Sequence, residues 1–211
     1  MISPALFSAR QADWETPEWL YAALDREFGF TVDGAADLTN HKAPRWFGPD
    51  SPDGITDALA VSWDDEVVYL NPPYGRGVEA WVAHAFHEAR QGRATTVCLL
   101  PARTDTGWWH RYVMAASEVR FIRGRLRFVG AQASAPFPSV IVVFRRGDVP
   151  TCPAWRTMRQ PLGGVRNQRK GGESLPAASH VPDTPPHLVS FAYNSEQANV
   201  RSSRRLEGGI A

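Results

Sequence analysis

Cysteine is nearly absent: Cys98 and Cys152 are the only two in 211 residues. Two thiols exclude a disulfide framework and a four-thiolate zinc site. Long apolar runs are missing as well, and no stretch approaches the ~18 continuous apolar residues that span a bilayer. Residues Met1–Arg10 show no apolar core preceded by positive charge, so no signal peptide is expected and the expected compartment is the cytoplasm. An excess of charge is also lacking. Lys and Arg total 23 and Asp and Glu 22, a formal net charge of +1, which excludes coating DNA by bulk positive charge.

Charge and aromatics are unevenly spread. Residues 1–150 hold 15 Lys and Arg against 18 Asp and Glu, whereas residues 151–211 hold 8 against 4. The eight Trp all lie at or before Trp155, and the last 61 residues carry six Gly, six Pro and six Ser. Such a segment cannot bury enough apolar area to offset its chain entropy. The expected organisation is a folded domain over residues 1–150 and a basic Pro/Gly/Ser-rich tail over 151–211. The tail reads as solvated filler or as a source of weak phosphate affinity.

The first 150 residues alternate helix and strand signals. Thr16 can cap a helix with Pro17 at its first position, Leu20, Leu24 and Phe28 then recur every fourth residue, and Gly29 is a stop. Phe30–Asp33 reads as a short strand and Val67–Leu70 as a buried one. Gly77–Gln91 is the clearest helix, with Val78, Trp81, Val82, Ala85, Phe86 and Ala89 in one stripe. Thr95–Leu100, Val119–Phe128 and Val140–Phe144 complete the strands. Buried strands separated by helices predict an α/β, Rossmann-like fold: a mainly parallel sheet with helices on both faces. Ligands in such sheets bind at the carboxyl ends of the strands.

The strand Val67–Leu70 runs directly into Asn71-Pro72-Pro73-Tyr74. Two prolines remove two backbone donors and fix two φ angles. The carbonyls of Asn71 and Pro72 and the Asn71 side-chain oxygen are then free to accept both N–H bonds of a planar exocyclic amine. Tyr74 offers an aromatic face for a base. A conjugated amine is a poor nucleophile because its lone pair is delocalised. Acceptors placed off the ring plane favour a pyramidal, reactive nitrogen.

NPPY after an apolar strand resembles the amino-methyltransferase motif of S-adenosylmethionine-dependent enzymes. The wider pattern is similar to the phage-type DNA N6-adenine methyltransferases, the Dam-like group. The matching stretches are Asp13–Phe30, Thr31–Phe47, Asp57–Trp63, NPPY, Leu99–His110, Gly124–Phe128 and Ala135–Phe144. The resemblance implies a class I methyltransferase domain that transfers a methyl group from S-adenosylmethionine to adenine N6 in double-stranded DNA. The target adenine is flipped out of the stack, and no metal is required. It implies that Thr16 and Pro17 meet the methionine carboxylate of the cofactor at a helix start. Asp33 and Ala35 then begin the cofactor loop, with Asp33 pairing with the methionine ammonium, and Asp57 and Leu59 hold the cofactor adenine. Asn71, Pro72, Pro73 and Tyr74 take the catalytic place. A phage or prophage origin in a bacterial host follows from the same resemblance. The sequence departs from the usual pattern after the first strand, where Gly34 stands alone in place of a glycine-rich loop. The short stretch before Asp57 predicts one or two missing or reduced strands.

Adenine and cytosine share a conjugated amine, so an N4-cytosine DNA methyltransferase stays open, as do RNA or protein-glutamine methylation and a non-catalytic DNA-binding module. Arg123, Arg125 and Arg127 share one face of the expected strand, either as a solvated face or, as the resemblance implies, on the DNA backbone. Arg120 lies in the same basic block. Arg103 follows a strand at its carboxyl end and is a further DNA candidate. Trp108 and Trp109 read as packing, His84 and His87 as a solvated face without a third metal ligand, and Cys98 as core.

Overall fold

A computed structural model describes residues 14–160 of the chain. The tail expected beyond Gln160 lies outside the described residues. Six strands form one sheet: β1 (Val32–Asp33), β2 (Val67–Leu70), β3 (Thr95–Pro101), β4 (Glu118–Arg123), β5 (Ser139–Phe144) and β6 (Ala154–Arg159). Three helices accompany them: α1 (Glu18–Phe28), α2 (Val78–Arg90) and α3 (Gly107–Arg111). The strand order is β1-β2-β3-β5-β4-β6. The sheet is mixed, with β1, β2 and β3 parallel and β5 antiparallel to both its neighbours, β3 and β4. Among the described residues no helix is long and apolar enough to cross a membrane.

The apolar runs explain the layering. Strands buried on both faces carry continuous hydrophobic sequence, and all six residues of β5 are buried. One face takes Tyr69, Val97, Leu99, Ile141 and Val143 against Leu20, Tyr21 and Leu24 of α1. The other takes Leu70, Cys98, Leu100, Val140 and Val142 against Val78, Val82, Ala85 and Ala89 of α2 and Trp108 and Trp109 of α3. Helices therefore cover both faces, and Cys98 and the two tryptophans are core. Between β1 and β2 the chain forms only a single parallel bridge, Asp33 to Trp46, where a fuller sheet would add a strand. Trp63 plugs this corner: fully buried, it donates from its indole to the Ala58 carbonyl at 3.0 Å. The buried Glu88 carboxylate of α2 accepts the Trp63 backbone N–H at 2.8 Å.

Four expectations are corrected. The segment Val119–Phe128 is not one strand: β4 ends at Arg123 because Gly124 turns to a φ of +85°, so Arg123, Arg125 and Arg127 do not share a strand face. Leu126 and Phe128 still enter the core, from a loop. A further strand, β6, follows residue 150 and pairs in parallel with β4, where tail was expected. Its residues are nearly all exposed, which left no apolar signature to read. Thr16 does not cap α1; Pro17 stands at that position without a side-chain cap. His84 is not solvated but half-buried, its ring edge-on to Trp63 at 4.6 Å and hydrogen-bonded to the Val61 carbonyl. Burial lowers its pKa.

Glu118 anchors the far half of the sheet. Its carboxylate is buried and meets Arg120 at 2.8 Å, Arg156 of β6 at 2.6 Å and Arg145 at 3.4 Å. Arg120 also forks onto Glu27 of α1 through two 2.6 Å bonds, so this arginine is committed to the fold rather than to a ligand. With Glu118 removed, Arg120 keeps Glu27 and the other two arginines face solvent, so what is lost is hydrogen bonding to a buried charged group, about 1.5–3 kcal/mol. Glu118→Ala should lower urea-derived stability by that much, and Arg156→Ala, on an exposed side chain, by under about 1 kcal/mol. Equal losses would place the anchor elsewhere.

Candidate active site

The carboxyl ends of β1 and β2 and the segment before α1 enclose a cleft of about 260 Å³. Thr16, Asp33, Ala35, Asn71, Pro72 and Pro73 line it together with Trp14, Glu15, Lys42 and Tyr69. Residues 14–16, 33–42 and 69–73 are far apart in sequence, and the parallel pairing of β1 with β2 brings the last two segments side by side.

Asn71 follows β2 directly. Its side-chain Nδ2 donates to the Trp14 carbonyl at 2.6 Å and to the Thr16 hydroxyl at 3.1 Å. An amide has two N–H donors and one carbonyl acceptor, so both donors are used. The acceptor, Oδ1, is buried and receives no hydrogen bond from the protein. The Trp14 carbonyl can only accept, which fixes the amide's orientation: a flipped Asn71 would set oxygen against oxygen. Thr16 is 2% exposed and shares a 2.6 Å hydrogen bond with the Tyr69 hydroxyl. Burial pushes the Tyr69 phenol well above its ordinary pKa, so it stays protonated.

At the end of β1, Asp33 is 3% exposed and accepts the backbone N–H groups of Ala35 at 3.3 Å and Lys42 at 3.0 Å. Burial raises its pKa to about 6 against the opposing pull of those two bonds. Gly34 must lie close to β2: its N–H reaches the Tyr69 carbonyl at 2.7 Å, and a Cβ there would sit 2.7 Å from Val68 Cγ1. Gly48 closes the same loop at a φ of +142°, where a Cβ would lie 2.1 Å from the Ala36 carbonyl oxygen. The Lys42 ammonium pairs with Glu15 at 2.8 Å across the cleft wall.

Tyr74 does not line this cleft. Its hydroxyl donates to the Leu99 carbonyl at 3.1 Å, and its ring stands edge-on to Phe128 and Phe137. The Trp14 ring packs on the same two phenylalanines at 5.0 and 5.3 Å, so an aromatic wall adjoins Asn71. Pro17 is buried at the α1 start, and its carbonyl accepts from Leu20 and Tyr21. Asp57 lies outside the lining; its carboxylate accepts the Leu59 N–H at 3.0 Å and caps the 3-10 turn Ala58–Ala60. Arg103, Arg123, Arg125 and Arg127 are exposed. Arg125 reaches only the Pro136 carbonyl, at 3.4 Å, and Arg127 the Ala131 carbonyl. Among the described residues no group of three or more His, Cys, Asp or Glu side chains is placed to hold a metal ion.

Sequence reasoning did not single out Trp14, Glu15, Asp37, Lys42 and Tyr69, which also line the cleft. Trp14 and Glu15 immediately precede Thr16, and Tyr69 lies two residues before Asn71 on the inward pleat of β2. That adjacency was the only signal available.

A family model described as DNA N-6-adenine-methyltransferase (Dam) matches residues 5–151. No curated protein matches the chain.

The raised Asp33 pKa makes the stability of the fold depend on pH. A carboxyl with a folded pKa near 6 and an unfolded one near ~4 penalises folding as pH rises between those values. Two units at ~1.4 kcal/mol each give roughly 3 kcal/mol. The stability of the wild type minus that of Asp33→Asn should therefore fall by about this much from pH 4 to pH 7. A flat difference would mean that the carboxylate is not desolvated.

Proposed function

The chain belongs to the Dam family of DNA N6-adenine methyltransferases, and on that premise we propose that its cleft brings S-adenosylmethionine and a flipped adenine together at Asn71. The family makes DNA the substrate and S-adenosylmethionine the implied methyl donor. The unpaired Asn71 Oδ1 carries the proposal for the target base. A buried acceptor without a donor costs about 1–3 kcal/mol, and an exocyclic amine supplies the missing donor.

The cleft suits a cationic donor. Glu15, Asp33 and Asp37 bring three carboxylates to its lining against the single ammonium of Lys42. Asp33 is the group to hold the methionine ammonium, with Ala35 beside it and the Thr16-Pro17 segment closing the end; Asp57 and Leu59 bound the adenine end from outside the lining. S-adenosylmethionine supplies a methyl group on a sulfonium sulfur. The chain's own residues prepare the nucleophile. Asn71 Oδ1 accepts one adenine N6–H and the Pro72 carbonyl the other. Held off the ring plane, the two acceptors draw the nitrogen lone pair out of conjugation. Pro73 keeps the turn rigid, and the exposed part of Tyr74, beside Phe137, takes the face of the base. Transfer would break the methyl–sulfur bond as the C–N bond forms, release the neutral thioether, and leave the amine's extra proton to solvent.

The parallel β1-β2-β3 core, helices on both faces and a cleft at the strand ends support a reduced Rossmann-like class I fold, with the catalytic domain ending near residue 150 apart from the added strand β6. Arg103, Arg123, Arg125 and Arg127 supply the phosphate contacts. Modification of phage or prophage DNA is the biological setting in keeping with the family resemblance.

Incubation with labelled S-adenosylmethionine and unmethylated duplex DNA, followed by nucleoside digestion, should yield N6-methyladenine. N4-methylcytosine, or label confined to protein, would sink the proposal. Asn71→Ala should cut turnover by at least roughly 10²-fold while cofactor affinity by calorimetry survives. Arg125→Ala should weaken DNA binding on all sequences and flatten the log–log salt slope by about one unit. An unchanged slope removes Arg125 from the phosphate footprint.

A further inference from the structure

We propose that Thr16 is a positioning residue for methyl transfer, acting through the Asn71 amide; the inference rests on the role of Asn71 given above. The Trp14–Thr16 segment is joined to three other parts of the molecule. The Trp14 carbonyl and the Thr16 hydroxyl take the two Asn71 N–H donors. Glu15 holds Lys42 through its carboxylate and receives the Val129 N–H, at 2.9 Å, on its carbonyl. The Trp14 ring packs against Phe128 and Phe137 of the loop between β4 and β5. Whatever sets the angle of the Asn71 amide is therefore set by this segment.

The hydrogen count makes Thr16 the adjustable member. A hydroxyl has one hydrogen and two lone pairs. Thr16 spends one lone pair on Asn71. Its 2.6 Å contact with the Tyr69 hydroxyl uses a single hydrogen from the two groups, whichever donates. Tyr69 lies fully buried on β2, so the pair ties the amide angle to the sheet itself. With Thr16 removed, Asn71 keeps one bond, to the Trp14 carbonyl, and can rotate about it. Oδ1 is then no longer fixed in angle, while the cleft's acidic end is unchanged. Small misplacements of this kind cost up to about 10²-fold in rate.

The test compares wild type, Thr16→Val and Thr16→Ser with saturating cofactor. Thr16→Val, which keeps the shape and removes the hydroxyl, should lower kcat by roughly ten- to a hundredfold. The loss should persist at saturating cofactor, the DNA dissociation constant should stay within about twofold, and Thr16→Ser should restore kcat. An unchanged kcat in Thr16→Val overturns the inference. So does a variant whose rate recovers fully when cofactor is raised, since that confines Thr16 to cofactor binding. If Thr16→Val does not fold, the side-chain amide of Asn71 in the wild type decides by NMR: both NH2 protons protected from exchange supports the role, and rapid exchange of the Thr16-bonded proton overturns it. A wild type without turnover on any duplex defeats the reading of Asn71 instead, and so separates the two failures.

Discussion

A buried carbonyl oxygen without a donor is a standing cost of about 1–3 kcal/mol, and the rest of this site is arranged so that Asn71 carries one. The amide cannot relieve the cost by turning over. Its N–H groups are held by a backbone carbonyl that can only accept and by a hydroxyl tied to β2. The oxygen is thus kept in place without a hydrogen bond from the protein. Preorganised polar groups of this kind act without reorganising during the reaction. The two prolines serve the same end, because neither has an N–H that could fill the acceptors nearby.

The sheet supplies the rigidity that such an arrangement needs. β2 is flanked in parallel by β1 and β3 and covered by α1 on one face and α2 on the other, so the residues leaving its carboxyl end have a fixed origin. Close approach does the rest. Gly34 lets the chain after β1 lie against Val68, and Gly48 lets the following loop fold back onto Ala36. Together they bring the buried carboxylate of Asp33 into the cleft that Asn71 lines. At the opposite side of the sheet, Glu118 and its arginines secure β4, β6 and α1 without touching the chemistry. The molecule separates its two uses of charge: a satisfied cluster that holds strands, and an acidic set, Glu15, Asp33 and Asp37 with Lys42, in the lining of the cleft.

The sequence made the local features readable and the distant ones not. NPPY is legible as a donor-poor stretch at the end of an apolar strand, because proline acts through its own bonds. The α2 stripe and the β3 and β5 runs are equally local, and the structure places them within a residue or so of expectation. Thr16 looked like a helix cap because capping is decided by neighbours; its actual partners, Tyr69 and Asn71, lie 53 and 55 residues away. The same distance hid Trp14 and Lys42. β6 escaped notice for the opposite reason. It is an exposed edge strand held by pairing and by Arg156 on Glu118, and so it lacks the apolar alternation that marks a buried one. Arg120 looked available by composition, and only the fold shows it engaged on both sides.

The central claim is that Asn71 Oδ1 recognises an exocyclic amine. A double-mutant cycle tests it most directly, with wild type and Asn71→Ala each binding a duplex that carries adenine, or purine lacking the 6-amino group, at the mapped methylation position. Wild type should prefer adenine, Asn71→Ala should lose that preference, and the coupling should be about 1–3 kcal/mol. A coupling of zero, with both proteins treating the two bases alike, would contradict the account.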